Sequence, residues 1–143
     1  MILGITGHRP SKLGGFGENK LREKVRKKMR EHFVHHKPTC VLTGMALGVD
    51  QWAAELAVSL KISFHAYVPF EGQADCWPQD QQKYYQQLLR AAAQVIYVSN
   101  PGYAAWKMQR RNEALVNACE RLLAVFDGTE GGTANCVNYA ERK

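Results

Sequence analysis

The chain has 143 residues, of which 45% are hydrophobic and 22% charged; 19 Lys and Arg against 13 Asp and Glu leave a formal net charge of +6. This length and a mean hydropathy of −0.37 describe one globular domain able to bury a core without disulfide staples. They exclude a disordered or fibrous chain, and no apolar run approaches the length needed to span a bilayer.

The four cysteines (Cys40, Cys76, Cys119 and Cys136) are widely spaced and form no C-x-x-C pair. They predict reduced, partly buried thiols, and the absence of a leader pattern at the first apolar run predicts a cytoplasmic protein.

Residues 2–6 predict a first strand, followed by Thr6–Pro10 (TGHRP) and a glycine-rich connection at 11–17. Residues 18–36 predict a helix in which Leu21, Val25, Met29 and Phe33 recur every four positions. Between Glu18 and Lys37 lie eight Lys or Arg and three Glu, a net charge of +5 (8 − 3). The charge is either the solvated side of an amphipathic helix or a basic face for nucleic acid. His32, His35 and His36 have no carboxylate or cysteine at ligand spacing, so they predict cations at the helix C-terminus and no metal site.

Residues 39–43 predict the second strand, and the sequence VLTGMALGVD (41–50) turns it into a helix at 49–60. A third strand is expected at 63–68. The connection at 69–78 carries Phe70, Glu71, Asp75 and Trp77 and either closes over a site or packs irregularly. A helix at 79–92, a strand at 94–98 and a helix at 104–118 follow. The last of these contains Lys107–Asn112 (KMQRRN), where Arg110 and Arg111 point about 100° apart and cannot share one role. One of them could clamp a phosphate while the other stays solvated. The fifth strand is expected at 122–126, the turn DGTEGGT at 127–133, and the final helix at 133–141.

This alternation predicts an α/β fold: a doubly wound, mostly parallel five-stranded sheet with helices on both faces, Rossmann-like, in a single domain over residues 1–143. The strands are short continuous apolar runs, as in sheets covered on both sides. Ligands of such sheets sit outside the C-terminal strand ends. Two glycine-rich strand–helix corners lie there, and each offers unpaired N–H groups and a positive helix end to an anion. The first comprises Gly44, Met45, Ala46 and Gly48; the second comprises Gly128, Gly131, Gly132 and Thr133.

Asp50 is either an acceptor for a sugar hydroxyl or a helix N-cap. Asp127 either orients a ribose or a water, or caps the following turn. Gly7, His8 and Arg9 suit phosphate binding or proton transfer at the edge of the first strand. No Ser/His/Asp set, paired carboxylates or P-loop lysine pattern fixes a reaction.

Taken together, TGHRP, TGMALGVD, KMQRRN and DGTEGGT resemble the SLOG superfamily, most nearly its YpsA-like branch of small bacterial and phage proteins, over the chain from Ile2 onward. The GMALGVD stretch is also similar to the core of DprA, a single-stranded DNA-binding recombination mediator. The resemblance implies nucleotides or nucleotide derivatives held by the two glycine loops, with Arg111 and Asn112 at the site and no cofactor required.

A catalytic branch, the LOG phosphoribohydrolases, cleaves the N-glycosidic bond of nucleoside monophosphates with an Arg in M-x-x-R and a Glu three residues after a Gly-Thr pair. Met108 and Arg111 match the first element and Gly132-Thr133 the pair, but Cys136 stands at the Glu position. A thiol does not replace a carboxylate in this chemistry, which leaves Arg111 and Glu130 as the catalytic candidates. Relatives continue into one more strand where this chain reaches Arg142-Lys143, so an open sheet edge or a partner subunit in a homo-oligomer is expected.

The sequence therefore points to a nucleotide-binding sensor or accessory domain. The alternatives are an N-glycosidic hydrolase and a DprA-like single-stranded DNA binder using the basic helix; no membrane partner is expected.

Overall fold

The computed structural model describes residues 1–15 and 17–143; residue 16, inside the predicted connection at 11–17, lies outside the described residues. The elements are β1 (Ile2–Gly7), α1 (Lys20–His36), β2 (Cys40–Thr43), α2 (Val49–Ser59), β3 (Ser63–Val68), α3 (Gln79–Ala91), β4 (Gln94–Tyr97), α4 (Ala105–Ala118), β5 (Arg121–Val125) and α5 (Gly132–Arg142). Each predicted element is present, with ends displaced by two residues at most. A 3-10 turn at Pro10–Lys12 was not anticipated.

Local chemistry explains the helix ends. The Asn19 side chain accepts the Arg22 N–H at 2.8 Å and caps the start of α1. Lys37 adopts the left-handed conformation at its end (φ 48), and Pro38 follows.

All pairings are parallel, in the order β4-β3-β2-β1-β5. The chain steps outward from β1 to β4, then returns to place β5 on the far side of β1. The switch in strand order therefore lies between β1 and β5, where a doubly wound sheet opens its ligand crevice. Helices α1, α2 and α3 form one layer, while α4 and α5 pack together on the other face.

The main core lies under the first layer. Ile5, Val41, Phe64, Ala66 and Val68 from the sheet meet Met29, Phe33, Val49, Ala53 and Ala57 from the helices. Two glycines of β1 let helices approach from opposite sides. A Cβ on Gly4 would lie 2.8 Å from Leu115 of α4, and one on Gly7 would lie 2.5 Å from Val49 of α2.

The covering is uneven. β3 alternates between buried and partly exposed residues, and no residue of the edge strands β4 and β5 is fully buried. The basic helix is amphipathic as expected, with Met29 and Phe33 buried and Leu21 half-exposed. Part of its charge is paired, Arg26 with Glu18 and Glu55. The cysteines of the described residues are free thiols. No described helix is long and apolar enough to cross a membrane, and no described group of His, Cys, Asp and Glu is arranged to hold a metal.

Candidate functional site

Three corners converge at the C-terminal edge of the sheet, after β1, β2 and β5. The corner between β2 and α2 is filled by the protein itself. Gly48 (φ 94) sits where a Cβ would come 2.6 Å from the His8 carbonyl oxygen, and Val49 N–H donates to that same oxygen at 3.3 Å. The first amide of α2 is thus spent on the β1 loop rather than offered to an anion. Met45, also in a left-handed conformation (φ 62), buries its side chain completely in the core.

Asp50 lies inside α2, one residue past Val49, with Gly48 as the N-cap. Its carboxylate instead turns back to accept the Ala46 N–H at 3.3 Å. Arg111 lies against this corner from α4: its Nη1 donates to the Gly44 carbonyl at 2.7 Å, and its Nε to Asn112 Oδ1 at 2.8 Å. Arg111 and Asp50 are both buried. Burial raises the Asp50 carboxyl to about 6, although the Arg111 guanidinium and the Ala46 N–H pull it back. Burial likewise lowers the Arg111 guanidinium, opposed by Asp50. Arg110, its neighbour, is exposed, so the two arginines separate into a buried and a solvated role.

The second corner is different in kind. α5 starts at Gly132 behind Gly131 (φ 145) and carries no side-chain cap, so its first amides are left for water or an anion. A Cβ on Gly132 would meet nothing within 4 Å. Lys12 reaches over this end, donating to Thr129 Oγ1 at 2.9 Å, with its Nζ 3.9 Å from where a Gly131 Cβ would be. Asn112 Nδ2 donates to the Gly132 carbonyl at 3.4 Å and ties α4 to the corner.

Asp127 caps its own turn through Oδ1, which accepts the Thr129 N–H at 2.9 Å and the Thr129 hydroxyl. These two bonds, with His8 beside them, hold its carboxyl well below the usual carboxylate range. His8 is buried, with Nε2 3.0 Å from Asp127 Oδ1 and 2.9 Å from the Asp127 N–H.

Between these corners lies a cavity of about 900 Å³, within the range of small-molecule sites. Gly7, His8 and Arg9 line it after β1, Gly44, Ala46 and Asp50 after β2, and Gly131–Thr133 after β5, with Arg111 and Asn112 from α4. Met45, Gly48, Asp127, Gly128 and Glu130 do not line it. Glu130 is exposed on the turn. Cys136 forms part of the cavity floor, fully buried. Burial pushes its thiol up, and the Thr6 side chain hydrogen-bonds its sulfur.

Another part of the wall comes from the 69–78 connection and Tyr103. Phe70, Trp77 and Tyr103 supply aromatic surface, with Phe70 edge-on to Tyr103 at 6.1 Å. Lys107 holds the loop before α4 by donating to the carbonyls of Asn100, Pro101 and Gly102 at 2.8, 3.2 and 2.7 Å.

Three lining residues carried no readable signal in the sequence. Lys12 looks like any basic residue of a polar loop, Tyr103 like an exposed aromatic, and Gln73 like a loop amide. Gln73 is nevertheless buried, donating through Nε2 to Tyr85 Oη at 3.3 Å and the Gly44 carbonyl at 3.5 Å.

Comparison with known proteins agrees with this fold. A family model described as the YspA SLOG family matches residues 3–143. An uncharacterised SPbeta prophage-derived protein, YoqJ, of Bacillus subtilis is 33% identical over 140 residues, covering 86% of this chain and 81% of that protein. Among solved structures, DNA processing protein A from Streptococcus pneumoniae superposes with a TM-score of 0.70 at 15% identity, covering 98% of this chain and 46% of that one. DNA processing protein A from Helicobacter pylori, described for its single-stranded DNA binding mode, gives a TM-score of 0.70 at 15% identity, with coverage of 99% and 61%. This chain thus spans about half to three-fifths of those two proteins, and the likeness to them is one of fold.

Proposed function

The chain belongs to the YspA SLOG family, and from that premise we propose that it binds a nucleotide or nucleotide derivative, with the phosphate at the α5 corner. One observation carries this reading: the uncapped start of α5 lines the cavity beside the Lys12 ammonium, and Arg9 lines the same cavity. Backbone amides, a helix dipole and fixed cations at one point favour an anion. The corner at Gly44–Gly48 contributes shape more than donors, because the Met45, Ala46 and Val49 amides are taken by Thr43, Asp50 and His8. Asp50 and Asn112, which also line the cavity, are then the candidates for sugar contacts.

Cleavage of an N-glycosidic bond is the less favoured reading. It needs a carboxylate at the reacting centre; Cys136 stands at that position as a thiol biased to its neutral form, and Glu130 lies outside the cavity. The DprA fold likeness keeps single-stranded DNA as the second binding reading, through the charge of α1. Such binding weakens steeply with salt.

A thermal-shift screen against nucleoside mono-, di- and triphosphates, NAD, ADP-ribose and cyclic nucleotides tests the primary reading. A ligand at a hundred times its Kd adds about 2.7 kcal/mol to stability. No shift from any of them, together with salt-sensitive binding of single-stranded DNA, would favour the second.

A further inference from the structure

Gln73 is 5% exposed, lines the cavity, and leaves its Oε1 without a hydrogen-bond partner among the described residues. Its orientation is set from the other side. The amide nitrogen faces the Tyr85 hydroxyl and the Gly44 carbonyl, and exchanging the two amide atoms would put oxygen against that carbonyl oxygen. Oε1 is therefore an acceptor that the protein buries without satisfying. A buried orphan acceptor costs about 1–3 kcal/mol, and a ligand N–H is the group that would remove the cost.

The surroundings specify the kind of ligand. The 69–78 connection that carries Gln73 also brings Phe70, Glu71, Asp75 and Trp77 to the cavity lining, and Tyr103 lines it edge-on to Phe70. The start of α5 lines the same cavity, with Lys12 beside Gly131 and Thr129. The connection offers aromatic faces and acceptors, and the α5 corner offers donors and positive charge. A molecule with an anionic end and a flat, donor-bearing end matches both.

Resting on the phosphate reading above, we propose that Gln73 and the 69–78 connection form a base subsite selecting a purine nucleotide whose six-membered ring carries an N–H donor. Phe70, Trp77 and Tyr103 provide the stacking surface, and Gln73 Oε1 reads the donor. The amino group of adenine, the N1–H of hypoxanthine, and the N1–H and amino group of guanine qualify. Unsubstituted purine does not.

The test is calorimetric titration of the full chain with the 5′-monophosphates of adenosine, guanosine, inosine and purine riboside, and with ribose 5-phosphate. At least one donor-bearing nucleotide should bind about tenfold more tightly than purine riboside monophosphate. Gln73→Leu should remove that difference; the ligand comparison itself needs no variant. Purine monophosphates all binding within about threefold of one another, with ribose 5-phosphate also bound, would overturn the base subsite and leave the phosphate reading standing. Binding of none of the five would overturn both.

Discussion

Arg111 and Gly44 fix each other's conformation. The guanidinium donates to the Gly44 carbonyl at 2.7 Å, and a Cβ on Gly44 would fall 2.6 Å from the guanidinium carbon and 2.9 Å from Asp50 Oδ2. The absent side chain is what lets one residue of α4 hold the β2–α2 corner in place. The glycine at this position serves packing first, since it lacks the positive φ of Gly48.

Replacing Gly44 by Ala should displace the guanidinium and destabilise the fold. Arg111→Ala should cost about 3 kcal/mol, because it takes the shorter of two hydrogen bonds from the buried Gly44 carbonyl and the cation from beside the Asp50 carboxylate. Arg111→Lys should recover little, since an ammonium cannot reach the corner and Asn112 together. Urea denaturation of the three variants measures this, and a near-native midpoint for Arg111→Ala would contradict it.

Asp50 sets a pH dependence. Its carboxyl is ordinary in the unfolded chain and rises to about 6 on folding, so the native state holds the extra proton between those values. Stability from this group is therefore fully present below about pH 4 and lost as pH rises through 6. The loss amounts to about 3 kcal/mol. Asp50→Asn keeps an acceptor for the Ala46 N–H but cannot ionise. The stability of the wild type relative to Asp50→Asn should accordingly fall between pH 4 and pH 7. A relative stability that rises over that interval would mean that Arg111 outweighs desolvation.

The thiols should react in order of burial. Cys76 is exposed, Cys40 and Cys119 are partly buried, and Cys136 is fully buried. Burial raises the thiols of Cys40, Cys119 and Cys136, which lowers their thiolate fraction. Timed alkylation read by peptide mass spectrometry should show Cys76 modified first and Cys136 only on unfolding. Early labelling of Cys136 would show that the cavity floor opens in the native state.

Periodicity and glycine punctuation carried the fold, because each strand is a short apolar run and each helix has a clear apolar face. The three strand-end corners were readable as sequence, and so was a split between the two arginines of KMQRRN, though not which of them is buried. What escaped were properties that only packing creates. Nothing local in VLTGMALGVD reveals that His8, over thirty positions away in the chain, spends its carbonyl on the start of α2. Nothing in a loop glutamine announces a buried, unmatched oxygen. The two corners look alike in sequence and differ in structure because the His8 carbonyl takes the first amide of α2, whereas the β1 loop meets the other corner at Asp127 and Thr129 and leaves the start of α5 uncapped.

That difference yields the sharpest prediction about the α5 corner. Gly132 has open space around it, so Gly132→Leu should fold normally while filling the approach to the first amides of α5. Lys12→Ala with Arg9→Ala removes charge without touching backbone. If a phosphate sits there, the leucine variant should lose nucleotide binding almost entirely. The double alanine variant should bind about tenfold more weakly, with a smaller dependence on salt. Substitutions at Gly48 would tell less, since a side chain there collides with the His8 carbonyl and damages the fold as well as the site. Calorimetric titration at two salt concentrations, with melting temperatures of the empty proteins as the control for folding, separates the cases. Native affinity in a folded Gly132→Leu protein would move the phosphate away from α5.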